Sequence, residues 1–138
     1  MPGETNLETL LATMAPRLHD EAFAYVTITP GKPEPDGLEP VLRFEEPEGT
    51  TLVVPRRQAL QSGLDPVFAC KMITLEVHSA LEAVGFLAAL LPPLAAAGIG
   101  VNPVSAYFHD HLLVPADRAG EAVAILEGIA EKARGGLG

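Results

Sequence analysis

One phrase occurs twice in this chain. Leu52-Val53-Val54-Pro55 runs into Arg56-Arg57-Gln58-Ala59, and Leu112-Leu113-Val114-Pro115 runs into Ala116-Asp117-Arg118-Ala119. Each copy is an apolar run of the kind strands favour, stopped by a proline suited to the first position of a helix. An aromatic-bearing stretch precedes both, Leu42 to Phe44 in one case and Tyr107-Phe108 in the other. Such self-similarity marks one supersecondary unit used twice. Two like units packed together leave a seam, and concave ligand sites form at seams.

Bulk properties narrow the classes. The 138 residues suit one compact domain or two very small ones sharing a core. With 48% hydrophobic and 20% charged residues the chain folds rather than staying disordered. A net charge of -9 argues against nucleic acid and anionic membrane surfaces as partners, since both call for a local Lys/Arg excess. No stretch approaches the ~20 apolar residues of a membrane span. The run from Val84 to Ile99 is interrupted by Pro92 and Pro93. The start, Met1-Pro2-Gly3-Glu4, is acidic where a signal peptide is basic, and the one cysteine, Cys70, has no internal disulfide partner. A reduced, cytoplasmic setting is the expectation.

Periodicity supplies the elements. Leu7, Leu10, Leu11, Met14 and Leu18 form a helical stripe behind Thr5-Asn6, with capping-box spacing from Thr5 to Glu8. Phe23 to Thr29 reads as a strand. Pro30 to Pro40 is almost all Pro, Gly and acid, an excursion that forms neither ladder nor helix. Val41 to Glu45 and Thr50 to Val54 flank a hairpin turn, and Pro55 to Gln61 reads as a short helix stopped at Gly63. Met72 to His78 alternates, in a strand that reaches back to Val67 and is long enough to close one unit while opening the next. Ser79 and Glu82 have capping-box spacing, and Gly85 opens an Ala/Leu-rich helix to Ala97 that Pro92-Pro93 should kink or break. Val101 to Phe108 and Leu112 to Pro115 read as strands joined by a turn at His109-Asp110-His111. A last helix spans Asp117 to Ala133, and Gly135-Gly136-Leu137-Gly138 reads as a frayed tail.

The second half is thus β-α-β-β-α, and the first half repeats it with the Pro-rich excursion in place of its first helix. The fold class is α+β: two ferredoxin-like βαββα units with antiparallel sheets and helices on one face, divided as residues 1–66 and 67–138. The strand ITLEVHS, the helix-starting Gly85, the AAAGI at that helix's end and the hairpin YFHDHLLVP together resemble the small bacterial proteins built from two tandem ACT-like units. The resemblance covers roughly Ile73 to Val123, and the first half through the echoed hairpin.

That resemblance implies a regulatory module that binds an amino acid or similar small ligand, with ACT units pairing edge to edge; we expect it to be non-enzymatic, and the open edge strands of small sheets favour a homodimer. The resemblance puts the ligand at the interface, near the loop from His78 to Gly85. The chemistry of the loop agrees. Unpaired N–H groups at a helix start favour a carboxylate, Gly85 permits close approach, and Asn102 offers a hydrogen bond to an amino or amide group. The expected ligand-binding residues are His78, Ser79, Glu82, Val84, Gly85 and Asn102, with no catalytic residue, metal ligand or cofactor.

Other clusters have plainer readings. His109 and His111, spaced i and i+2, invite a metal, yet the triplet with Asp110 also reads as a polar turn and lacks the spacing of a known metal motif. Ser79 with His78 and Glu82 has no nucleophile-elbow context, and capping explains it. Arg56-Arg57 reads as a solvated helix start and Cys70 as a buried bystander. The rival functions are an interaction module without a ligand and a metal-binding protein using His109 and His111.

Overall fold

The computed structural model describes residues 3–137, the last by its backbone alone. Met1 and Pro2 of the expected non-signal start, and Gly138 of the expected tail, lie outside the described residues. The chain runs α1 (Leu7–Thr13), β1 (Ala15–Ile28), β2 (Leu42–Glu46), β3 (Gly49–Pro55), α2 (Arg56–Gln61), β4 (Val67–Glu76), α3 (Phe86–Ala96), β5 (Asn102–Ser105), β6 (Asp110–Pro115), a 3-10 turn (Ala116–Arg118) and α4 (Ala119–Leu137).

Packing divides this into two compact units, Asp20–Lys71 and a second made of the residues up to His19 with those from Met72 onward. Both β1 and β4 cross the division, so each long strand gives one end to each unit. In the Asp20–Lys71 unit the strands lie in the order β2-β3-β1-β4, and in the other β1-β4-β6-β5. Antiparallel pairing joins β1 to β3, β2 to β3 and β5 to β6, with registers such as Val26 opposite Leu52 and Asn102 opposite Leu113. This is the ferredoxin-like α+β class, two units of sheet and helix.

The repeated phrase folds the same way twice. Pro55 sits at φ -51°, ψ 128° and Pro115 at φ -52°, ψ 133°, each turning a finished strand into a helical start. Leu52, Val53 and Val54 are fully buried, as are Leu112 and Val114. Leu52 and Val54 meet Val26, Ile28 and Ala59 in one core. Leu112 and Val114 meet Ile73, Leu75, Leu90, Leu94 and Leu126 in the other.

Several boundaries differ from expectation. Helix α1 stops at Thr13 because Ala15 precedes Pro16, which disfavours helical dihedrals there, and Leu18 lies in β1. Its cap is Asn6, whose Oδ1 accepts from the Thr9 amide at 2.9 Å, rather than Thr5. By packing, α1 belongs with α4: Leu10 and Met14 are buried in the same core as Leu126, a different division from the repeat at 66/67. The double proline does not interrupt α3. Pro92 and Pro93 deprive two carbonyls of donors, yet Leu90 and Leu94 on either side are fully buried, and their packing holds the turn helical. Gly98, at φ 76°, stops the helix as expected, and the Arg118 guanidinium donates to the exposed carbonyls of Ala97 and Gly98 at 2.8 and 3.0 Å. The β5–β6 turn spans Ala106 to His109, closed by the Ala106 amide on the His109 carbonyl, so Asp110 and His111 lie in β6. Helix α4 continues through Gly135 and Gly136 to Leu137, where a frayed tail was expected.

Because each core is lined by one copy of the phrase, Leu112→Ala should lower unfolding free energy by about 2–5 kcal/mol. Urea denaturation measures it, and a loss under about 1 kcal/mol would show that the position is not packed as described.

Candidate functional site

Gly85 has φ 92°, the left-handed region that a glycine adopts without cost. It stands at the N-cap of α3 and offers no side chain to cap it. The first-turn amides of Phe86, Leu87 and Ala88 therefore have no partner within the helix and no capping oxygen from Gly85. Phe86, Leu87 and Ala88 line a cavity of about 160 Å³ together with Ser79, Gly85, Ser105 and Asp110. Its apolar wall comes from Leu81, Phe86 and Leu87.

Asp110 is the charged group of this cavity, and it is only 8% exposed. Its Oδ2 accepts from Ser79 Oγ at 3.3 Å and its Oδ1 from Ser105 Oγ. Two hydroxyls leave lone pairs on the carboxylate unused. Sequence reasoning had made Asp110 a turn residue. The missed signal was the strand parity: Leu112 and Val114 face the core, so Asp110 shares their side, at the end where α3 begins.

The expected residues divide. Ser79 and Gly85 line the cavity, but Ser79 binds Asp110 and no capping box with Glu82 forms, since α3 starts later, at Phe86. His78 and Glu82 line a neighbouring concavity with Gly3, Ser79 and Tyr107. The His78 ring also lies 5.4 Å from that of Phe108. Val84 is 85% exposed and lines neither hollow, and Asn102 stands at the far, exposed end of β5. The segment at Glu4 is laid beside this loop: its amide donates to the His78 carbonyl at 2.7 Å, and its carbonyl accepts from the Ala80 amide at 2.9 Å.

His109 and His111 do not converge. His109 Nδ1 lies 3.3 Å from the Val77 carbonyl, while His111 Nδ1 lies 3.0 Å from Thr74 Oγ1. Their rings are 6.4 Å apart, and among the described residues no group of three or more His, Cys, Asp and Glu side chains is placed to hold a metal. Thr74 is buried and also meets His19 Nε2 at 2.7 Å, so one hydroxyl bridges imidazoles from β1 and β6. Burial, then His109 and His19, pull the His111 pKa below its ordinary value, with Asp110 opposing and Arg17 adding repulsion. Cys70 is buried, its thiol pushed up to about 11 by desolvation, which keeps it in the unreactive thiol form.

The ACT domain matches twice in tandem, over residues 2–71 and over residues 67–128. The chain belongs to the ACT-domain family. A Vibrio cholerae protein of unknown function, described as a possible transport protein, shares 40% identity with a TM-score of 0.80, covering 90% of this chain and 95% of its own. The regulatory subunit of Thermus thermophilus aspartate kinase, solved free of ligand, is 11% identical with a TM-score of 0.61 over 86% of this chain and 98% of its own. The aspartokinase α and β subunits give 15% and 0.66, covering 83% of this chain and 96% of theirs. At those identities the two aspartokinase likenesses show the ACT fold alone. A search of curated proteins finds no match. No helix of the described residues is long and apolar enough to cross a membrane.

The lowered His111 pKa has a sign that can be checked. Unfolded, the imidazole titrates near about 6.5, so between that value and the folded one the unfolded chain binds more protons. Its contribution to stability is whole above the unfolded pKa and is lost as pH falls through the folded value. The melting temperature should drop between about pH 7.5 and pH 5, and drop less in His111→Gln. Parallel pH profiles for the two proteins would remove His111 from the account.

Proposed function

We propose that this ACT-domain protein is a non-enzymatic regulatory module whose cavity at the start of α3 binds an amino acid or a close analogue. One observation carries the reading: an uncapped helix start and a buried carboxylate line the same small cavity. Helix amides and the dipole attract a carboxylate, and Asp110, with lone pairs to spare, accepts from an ammonium. An α-amino acid carries both charges on one carbon.

The unit division we adopt is the repeat, residues 1–66 and 67–138, in line with the two ACT matches. Signal transfer is a population shift, in which ligand favours one packing of the protein over another. Ser105 and Ala106 place the end of edge strand β5 at the cavity. A second copy of the chain pairing along β5 would bring a subunit seam to its rim, and a homodimer is the assembly this edge supports. The buried cysteine suits a reducing, cytoplasmic setting.

A thermal-shift screen against the twenty amino acids and common divalent metals tests the reading. A ligand bound by the folded state raises the melting temperature by mass action, by about 2.7 kcal/mol of stability at a hundredfold excess over Kd. The expected result is a rise with one small group of amino acids, lost in Asp110→Asn and in Gly85→Val. A rise only with zinc or copper, lost in His109→Ala, would favour a metal site. No rise at all would favour a pure interaction module.

A further inference from the structure

The α3 cavity does not use the aromatic side chains near it. Tyr107 and Phe108, in the β5–β6 turn, are 67% and 60% exposed. Phe108 is the hub of three rings: Tyr107 meets it at 4.8 Å and 63°, and His78, just past β4, at 5.4 Å and 49°. An edge-to-face contact covers one face of one ring. With both side chains this exposed, other ring faces stay open to solvent.

Tyr107 and His78 line a concavity of about 160 Å³ with Gly3, Ser79, Ala80 and Glu82. Much of its backbone is already paired. The Ser79 amide donates to the Val77 carbonyl at 3.0 Å, and the Ala80 amide to the Glu4 carbonyl at 2.9 Å. The His78 carbonyl accepts from the Glu4 amide, and the Ala80 carbonyl from that of Ala83. The Ser79 hydroxyl is turned to Asp110. Gly3 closes so tightly on this stretch that a Cβ there would lie 2.5 Å from the Ala80 nitrogen. Glu82 differs: among the described residues its carboxylate has no hydrogen bond or ion pair.

The lining therefore offers a ligand one unpaired negative charge and open ring faces, with few other acceptors. A primary ammonium brings three N–H donors, each needing an acceptor, whereas a quaternary ammonium carries its charge with none. Aromatic faces attract such cations through the ring quadrupole. The net charge of -9 also raises the local concentration of any cation.

We propose that this concavity is a second binding site, which takes a small quaternary ammonium cation. The cation's methyl groups meet the rings of Tyr107 and His78, and Glu82 balances its charge. No carboxylate or amino group on the ligand has a role, so the proposal does not rest on the function given to the α3 cavity.

An amide NMR titration of the full chain with choline chloride tests it, against 3,3-dimethylbutan-1-ol, the uncharged carbon analogue, and ammonium chloride. Choline should shift the amides of Glu82 and Tyr107, and both comparison compounds should bind at least about fivefold more weakly. Tyr107→Leu and Glu82→Gln, both at exposed positions, should each weaken choline by about two- to fivefold, and Tyr107→Phe, which keeps the ring, should not. The proposal is overturned if those two amides stay still up to about 100 mM choline, or if the alcohol or ammonium binds as well as choline. It is equally overturned if Tyr107→Leu or Glu82→Gln binds choline unchanged, or if Tyr107→Phe binds as poorly as Tyr107→Leu. Shifts confined to Phe86, Leu87 and Ser105 would overturn it too, since they would put choline in the α3 cavity.

Discussion

Everything in this fold depends on burying two apolar strands that end in proline. Burial of a Leu or Val side chain contributes on the order of 1.5–3 kcal/mol, and β3 and β6 each bury a run of them at or near zero exposure. Proline then ends each ladder, because it has no donor to continue it, and its fixed φ launches a helix back over the strand just buried. Helix α2 returns to β3 in this way, and α4 to β6. Each unit thus builds its core from a strand and the helix that follows it, and the remaining strands are recruited to complete the sheet.

The same logic explains what could be read from the sequence. The hairpin of β2 and β3, the short α2 and its stop at Gly63, the long β4 and the stop of α3 at Gly98 all follow from local chemistry: strand alternation, proline and glycine. The first half of β1 did not announce itself. Leu18 falls on the helical stripe set by Leu7, Leu10, Leu11 and Met14, and only Pro16 argues for an earlier stop. The double proline in α3 misled in the opposite direction. Its cost is local, whereas the burial of Leu90 and Leu94 that outweighs it comes from distant strands and helices.

Part of the candidate cavity was legible in the sequence and part was not. A loop ending in Gly85 marks a helix start that needs left-handed backbone, and Ser79 beside it is polar with no neighbour in sequence to explain it. Its partner, Asp110, is 31 residues away, and nothing local reports that distance. The capping box spelled by Ser79 and Glu82 was a plausible local solution that lost to a buried carboxylate. Ser79 Oγ donates to Asp110 Oδ2 at 3.3 Å, and α3 begins at Phe86, past the reach of a Ser79 cap.

That choice has a consequence for function. Asp110 is only 8% exposed, and a buried carboxylate calls for hydrogen-bond donors around it. Ser79 and Ser105 give it two, and both are neutral hydroxyls with modest strength. An ammonium entering the cavity supplies a charged donor that the protein itself withholds. The helix start across the cavity is incomplete in the complementary sense, with amides that lack acceptors. On the proposed function, each half of the site gains from a ligand of the matching charge. The two requirements are met together only by a molecule carrying both groups within the reach of one small cavity. On the proposed function, such a site would discriminate by charge pattern before side chain. Metabolites bearing a carboxylate alone would leave Asp110 facing no cation and would bring a second negative charge toward it, a penalty that rises as the cavity excludes water.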